Sequence, residues 1–386
     1  MMRSKFRIQQ LYRSLFFLSL VFCITVQQAR AERFTVYDIV GRTKILDASG
    51  QSSVPRVGSH IEDQTHIRVY RDSSISFKGE GRYYRVYGSS LVQLLDEPLL
   101  VYGKLSSSTV DEFIDLHFYF HPTPAQGRTM KVVMQSKDRD IEVHSSLLTD
   151  EGNERPLSVY SLGDGHYRVL SGFDCEAPPI RYKLHIEATR DSAHHTQIVY
   201  PFFLKETLYP TGKVVLPPAQ DALLKPSEVK RRQSEKLFEI LSTSSEQSLW
   251  ESAFIHPIGD PEVISAFGKK RTYYMEGKPV RVRHHRGVDY RAPRGTPVIA
   301  PAGGIVVFAA ERVTTGNTLV IDHGHKVFSL FFHLDSITVK KGVRVAPGDK
   351  VAEAGSTGIA AGSHLHWGLW IDGTYVDPLD WLRRKF

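Results

Sequence analysis

The sequence predicts a mainly β chain built in modules, and three observations carry that expectation. Short runs of strand length, alternating apolar and polar, recur from about residue 33 to about 210. A proline-rich break with one helical pattern follows. From about Phe254 the composition turns to Gly, Pro and Val, with tight-turn sequences between apolar strands. The resulting expectation is a β-domain at 32–108, an immunoglobulin-like β-sandwich at 109–210, a linker with a helix at 211–251, and a C-terminal antiparallel, barrel-like β-domain at 252–386. A length of 386 residues suits two or three cores, and 41% hydrophobic with 24% charged residues argues against a disordered chain.

The first 31 residues read differently from the rest. "MMRSKFRIQQLYR" is basic, "SLFFLSLVFCITV" is apolar but short for a span, and "ARA" ending at Ala31 offers small residues for cleavage. This is the order of a secretory signal peptide, with a retained anchor as the alternative. Cys23 does not make a lipoprotein site, because Phe22 before it is too large. The leader holds five basic residues and no acids, so its removal takes the formal charge from +7 to +2. A charge of +2 gives little support to nucleic acid as a partner. Cys175 is then the one cysteine left, so no internal disulfide is expected despite an exported address.

Within 32–108, "HIRVYRDSSISF" alternates through Ile67, Val69, Ile75 and Phe77, and "GRYYRVYGSSLVQLL" continues the pattern. The order of strands and glycines resembles a FecR-type periplasmic β-domain. Within 109–210, "FIDLHFYF", "TMKVVMQS", "IEVHSSLL", "HYRVLSGF", "YKLHIEATR" and "TQIVYPFFL" fall at intervals that suit a sandwich. After the prolines of "LYPTGKVVLPPAQDALLKPSEV", Ser227 is a good N-cap for "EVKRRQSEKLFEILS". Its apolar set is Val229, Leu237, Phe238, Ile240 and Leu241, which suits packing between domains. Lys230 to Arg232 read as a solvated face.

The chemistry concentrates in the last third. His364 and His366 in "GSHLHWGLW" share one face of a strand, while Leu365 and Trp367 share the other. Two imidazoles on one face can grip one metal, or one can grip while the other handles protons; a hydrogen-bonded core pair is the plain alternative. Partners tip the balance. "HHRGVDYR" supplies His285 and Asp289 at His-x-x-x-Asp spacing, and neutral imidazoles with a carboxylate make a three-ligand zinc set that leaves a position for water. His284 lacks that spacing. His333 closes the apolar strand "FSLFFHL". His323 and His325 in "DHGHK" read as turn or surface residues, and the Gly-rich "PAGGIVV" and "AGSTGIAAG" lack the lysine of a phosphate loop. Trp367 and Trp370 differ by three, so at least one belongs to the core. The basic, aromatic segment "KKRTYYMEGKPVRVRH" before His285 is expected to wall the groove.

Together, "HHRGVDYRAPRGTPVIAPAGGIVV", "GNTLVIDHG", "FSLFFHLDSITVKKGVRVAPGDKVAEAGSTG", "GSHLHWGLW" and "VDPLDWL" resemble a lysostaphin/LytM-type zinc endopeptidase domain over about residues 254–384. The resemblance implies one bound Zn2+, held by His285, Asp289 and His366, with His333 and His364 catalytic, and cleavage of the stem or cross-bridge peptides of bacterial peptidoglycan. Ser363 stands where proline is common in that family, and Phe331 where tyrosine is common. The expected protein is therefore an exported zinc metalloendopeptidase of the periplasm or cell envelope, or a secreted one. It has peptidoglycan peptides as substrate, envelope regulatory proteins as possible partners, no nucleic acid and no stable span after leader cleavage. The alternative is a non-enzymatic wall-binding module, or an activator of another envelope hydrolase, on the same fold.

Overall fold

The computed structural model describes residues 34–47, 49–61, 65–79, 82–93, 100–108, 114–121, 123–215 and 225–386, so the expected signal peptide lies outside the described residues. The chain is mainly β, with two helices among the described residues, and divides into compact units at Val101/Tyr102. In the first unit, strand Phe34–Val40 pairs antiparallel with Ser74–Gly79, and that strand pairs with Arg82–Gln93. Val36, Ile67, Val69, Ile75 and Phe77 are buried. The alternating residues of the sequence are thus the inward ones.

The second unit opens with two packed antiparallel sheets. One orders Val159–Gly163, His166–Gly172, Thr129–Ser136 and Leu116–His121; the other runs through Glu142–Thr149, Arg181–Thr189 and His195–Phe203. Met130, Val132 and Val169 from the first sheet share a core with Leu184, Ile186 and Ile198 from the second. Burying one apolar face from each sheet is what makes such a sandwich stable.

Helix α1 (Glu228–Ser242) starts where the sequence places it, with the Ser227 side chain accepting from the Lys230 backbone N–H. Arg231 and Arg232 pair with Glu228, and Arg231 also with Glu235, on an exposed face. Only Leu237 and Leu241 are fully buried, whereas Val229 and Phe238 are exposed. The pattern of the helix suggested packing between domains; among the described residues its buried side chains meet one domain. Leu237 and Leu241 pack on Val320, Phe328, Leu330 and Phe332 of the C-terminal sheet.

That sheet orders β3 (Val288–Arg291), β7 (His364–Ile371), β5 (Val327–Ile337) and β4 (Gly316–Asp322) side by side, followed by Gly304–Arg312 and short edge strands. β6 (Lys350–Ala354) pairs with the far end of β5. It is an open sheet with edges at Val263–Ser265 and Arg344–Val345, not a closed barrel. A separate hairpin, β1 (Lys270–Met275) and β2 (Lys278–His284), turns through Glu276 and Gly277, both at positive φ. Its other edge pairs, in parallel, with Thr211–Val215. Helix α2 (Pro378–Arg383) ends the fold, capped by Asp377. No described helix is long and apolar enough to cross a membrane.

Candidate metal centre

The two faces of the C-terminal sheet have different fates. Val288, Tyr290, Leu365, Trp367 and Phe331 enter the main core, so the residues that alternate with them face the other way. Asp289 and His366 are register partners across β3 and β7, which brings a carboxylate and an imidazole together on that second face. α1 covers one end of this face, where Phe238 meets Trp370 edge to face at 6.4 Å. The other end is open, and the site lies there.

Three atoms converge. His285 Nε2 lies 3.0 Å from Asp289 Oδ1 and 3.1 Å from His366 Nδ1, and His366 Nδ1 lies 2.8 Å from Asp289 Oδ1. All three residues are buried, and their ligand atoms lie close enough together that they could hold one metal ion. The surroundings fit such a group. His285 Nδ1 donates to the Ala266 carbonyl at 2.9 Å, which turns the lone pair of Nε2 toward the cluster. Arg271 on β1 donates to Asp289 Oδ2 and, at 2.8 Å, to Ser265 Oγ, leaving Oδ1 for the cluster. Burial opposes ionisation of Asp289, but His285 and His366 outweigh it and hold the carboxyl well below the usual carboxylate range. Burial pushes His366 down to about 4, against the pull of Asp289, so it is a neutral imidazole at neutral pH.

Two further histidines flank the cluster. His364 Nδ1 donates to the Gly362 carbonyl at 2.8 Å, and its Nε2 lies 3.7 Å from Asp289 Oδ1. His333 Nδ1 donates to the Thr357 carbonyl at 2.8 Å, and the His333 and His364 rings are 5.1 Å apart. Burial, then His364 and His366, push His333 down to about 3. Regular alternation would send His333 to the face opposite Phe332. Instead its φ is 62°, and the β5–β6 register shifts beyond Leu334. Phe331 and Leu334 therefore both enter the main core, while Phe332 and His333 share the site face. Phe332 stacks on the His366 ring at 4.9 Å and 3°.

Residues 283–378 match the model of peptidase family M23. The C-terminal region carries a peptidase family M23 domain. The region is 39% identical over 118 residues to an uncharacterized metalloprotease of Haemophilus influenzae, covering 30% of this chain and 24% of that protein. It is 37% identical over 118 residues to the peptidoglycan DD-endopeptidase ShyB of Vibrio cholerae, covering 31% of this chain and 27% of that protein. The chain thus spans about a quarter of the length of these curated relatives. Among solved structures, the catalytic domain of the antimicrobial peptidase lysostaphin from Staphylococcus simulans is 26% identical, covering 32% of this chain and 93% of that one, with a TM-score of 0.29.

All five residues singled out in the sequence lie in or beside one cleft of the M23 domain. Two parts of the site had escaped it. Arg271 was one cation in a basic segment, and nothing in its spacing shows that it reaches Asp289. Phe332 was one apolar residue in an apolar run. The hairpin segment does line the cleft. His323 and His325 lie at a turn as read, but they are buried, not on the surface. His323 bonds the Gly303 carbonyl and Ser329, and His325 stacks on Tyr160 at 4.0 Å. His284 faces Glu176, outside the cluster, at 3.0 Å.

Proposed function

We propose that the protein is an exported zinc metalloendopeptidase that cleaves peptide bonds in the stems or cross-links of bacterial peptidoglycan. The observation that carries this reading is the convergence of His285, Asp289 and His366 in a cleft, with two further imidazoles turning Nε2 toward the same space. The M23 match and the relative named as a peptidoglycan DD-endopeptidase support the substrate class.

His285, Asp289 and His366 would hold the metal, and zinc there would supply Lewis acidity and a water more acidic than bulk water. The backbone carbonyl at Gly362 fixes the tautomer of His364, so its Nε2 is free to accept a proton from the attacking water. His333, fixed in the same way by Thr357, presents a second Nε2 acceptor, and it serves the leaving amine only by handing on a proton it has first taken up. Phe332 covers one face of His366 and keeps water from that side of the ligand.

The test compares the chain with His364→Ala, measuring zinc content and new amino termini released from purified peptidoglycan. Wild type should bind one zinc and release termini, and H364A should keep zinc and release none. Zinc without release from wild type would transfer the reading to a wall-binding or hydrolase-activating module.

A further inference from the structure

The cleft that holds the M23 site has a volume of about 1060 Å³ and is lined unevenly by charge. Its two acidic residues are already engaged: Asp289 by Arg271 and the imidazoles, Glu176 by His284 and, at 3.5 Å, Arg286. Five cations that line it, Lys213, Lys269, Lys270, Arg281 and Arg283, have no carboxylate partner among the described residues. Four of them belong to the hairpin segment.

The sequence shows how far this charge is segregated. Residues 269–286 hold seven Lys or Arg against one Glu, a net charge of +6, while the whole chain carries +7. The first 31 residues carry +5, so everything outside these two segments sums to −4. The wall is also held in place. Arg271 anchors β1 to Ser265 and Asp289, the Lys270 N–H donates to the Pro210 carbonyl at 2.9 Å, and His284 closes on Glu176. Cations fixed on one side of a cleft attract an anionic ligand at long range and give it one register beside the scissile bond.

We infer that this hairpin wall selects peptides that carry free carboxylates, with Arg281 and Arg283 as its specificity-determining residues. The inference rests on the peptidase reading above and narrows it: the substrate strand is an acidic peptide, and its carboxylates lie on the hairpin side of the cleft. Guanidinium groups suit this task because their planar fork matches a carboxylate.

The experiment uses the full chain and two substrates: native peptidoglycan sacculi, and the same sacculi with their carboxyl groups converted to methylamides. Two quantities are read, the fraction of protein that sediments with the sacculi and the rate of amino-terminus release, each over a salt series. Wild type should bind and cleave native sacculi roughly tenfold better than amidated ones, chiefly through KM, and added salt should erase the difference. Arg281→Gln with Arg283→Gln should reduce native sacculi to the amidated level, and the matching double lysine variant should restore part of the preference. Equal binding and cleavage of both substrates would overturn the inference and leave the peptidase reading standing. Retention that depends on salt but not on amidation would also overturn it, assigning the wall to another anion of the envelope. Preferential retention without any cleavage would keep the inference and overturn the peptidase reading.

Discussion

His323 has no access to solvent, yet every polar atom of its ring is satisfied. Nδ1 donates to the Gly303 carbonyl at 2.7 Å, Nε2 accepts from Ser329 Oγ at 2.9 Å, and Ser329 in turn accepts from the Trp367 indole at 3.1 Å. That chain requires a neutral ring, and burial pushes its pKa down to about 4. The folded value lies below the ordinary 6.5, so its stabilising share is present above about pH 6.5 and is lost as pH falls toward 4, amounting to roughly 3 kcal/mol. Urea unfolding at about pH 7 and about pH 5 should show this decline in wild type. His323→Gln keeps a donor and an acceptor without a titrating ring and should make the decline smaller by about the His323 share; an equal decline in both proteins would remove His323 as a cause. At the same scale, Arg271 holds the outer oxygen of Asp289. Arg271→Ala is expected to weaken zinc binding roughly 10- to 100-fold in a chelator competition, and unchanged affinity would reduce the ion pair to a structural contact. Neither role could be read from the sequence, because both depend on which buried group each side chain meets. The residues of the cluster were legible there, since a strand period of two and a short His-x-x-x-Asp spacing are local facts.

Elements position those residues through small departures from regularity. Gly287 lies between His285 and Asp289, and a Cβ built there would sit 2.5 Å from His366 Cε1 and Nε2 and 2.7 Å from the Trp367 carbonyl. The close approach of this turn to β7 is what lets the His285 and Asp289 side chains meet His366. Gly287→Ala should therefore displace the His366 ring and reduce zinc affinity more than it lowers the melting temperature; a zinc titration beside a thermal melt separates the two, and unchanged affinity would show that the ring can yield. At His333 the left-handed residue and its bulge put two consecutive side chains on one face, which a strict alternation reading would divide. The helix shows the opposite case. Its N-cap and extent follow from local chemistry and were legible, but its partner surface was not, because an amphipathic stripe does not say which apolar face it will meet.

At the scale of the molecule, residues 225–251 belong physically with the C-terminal sheet. Leu237 and Leu241 cover Phe328 and Leu330, Ser244 and the Ser245 N–H bond the buried Asp322, and Trp250 packs against Trp381 at 5.7 Å. A fragment of residues 252–386 loses those three apolar side chains, each worth about 2–5 kcal/mol in a core. It should melt well below a fragment of 225–386, or fail to stay soluble; equal melting would return 225–251 to the status of a linker. The sandwich also seats against this domain, where the Trp381 indole donates to Thr129 Oγ1 at 2.9 Å and Arg128 pairs with Asp377 and Asp380. The sequence by itself determined the mainly β class, the helix and its cap, and the histidines and aspartate of the cluster, because periodicity, capping and ligand spacing act over a few residues. Only the tertiary structure decided that the sheet stays open, which face α1 covers, that Arg271 and Phe332 support the cluster, and that a positive φ at His333 turns it toward the site. Those outcomes depend on which distant surfaces fit together, and contacts between residues far apart in the chain leave no local signature.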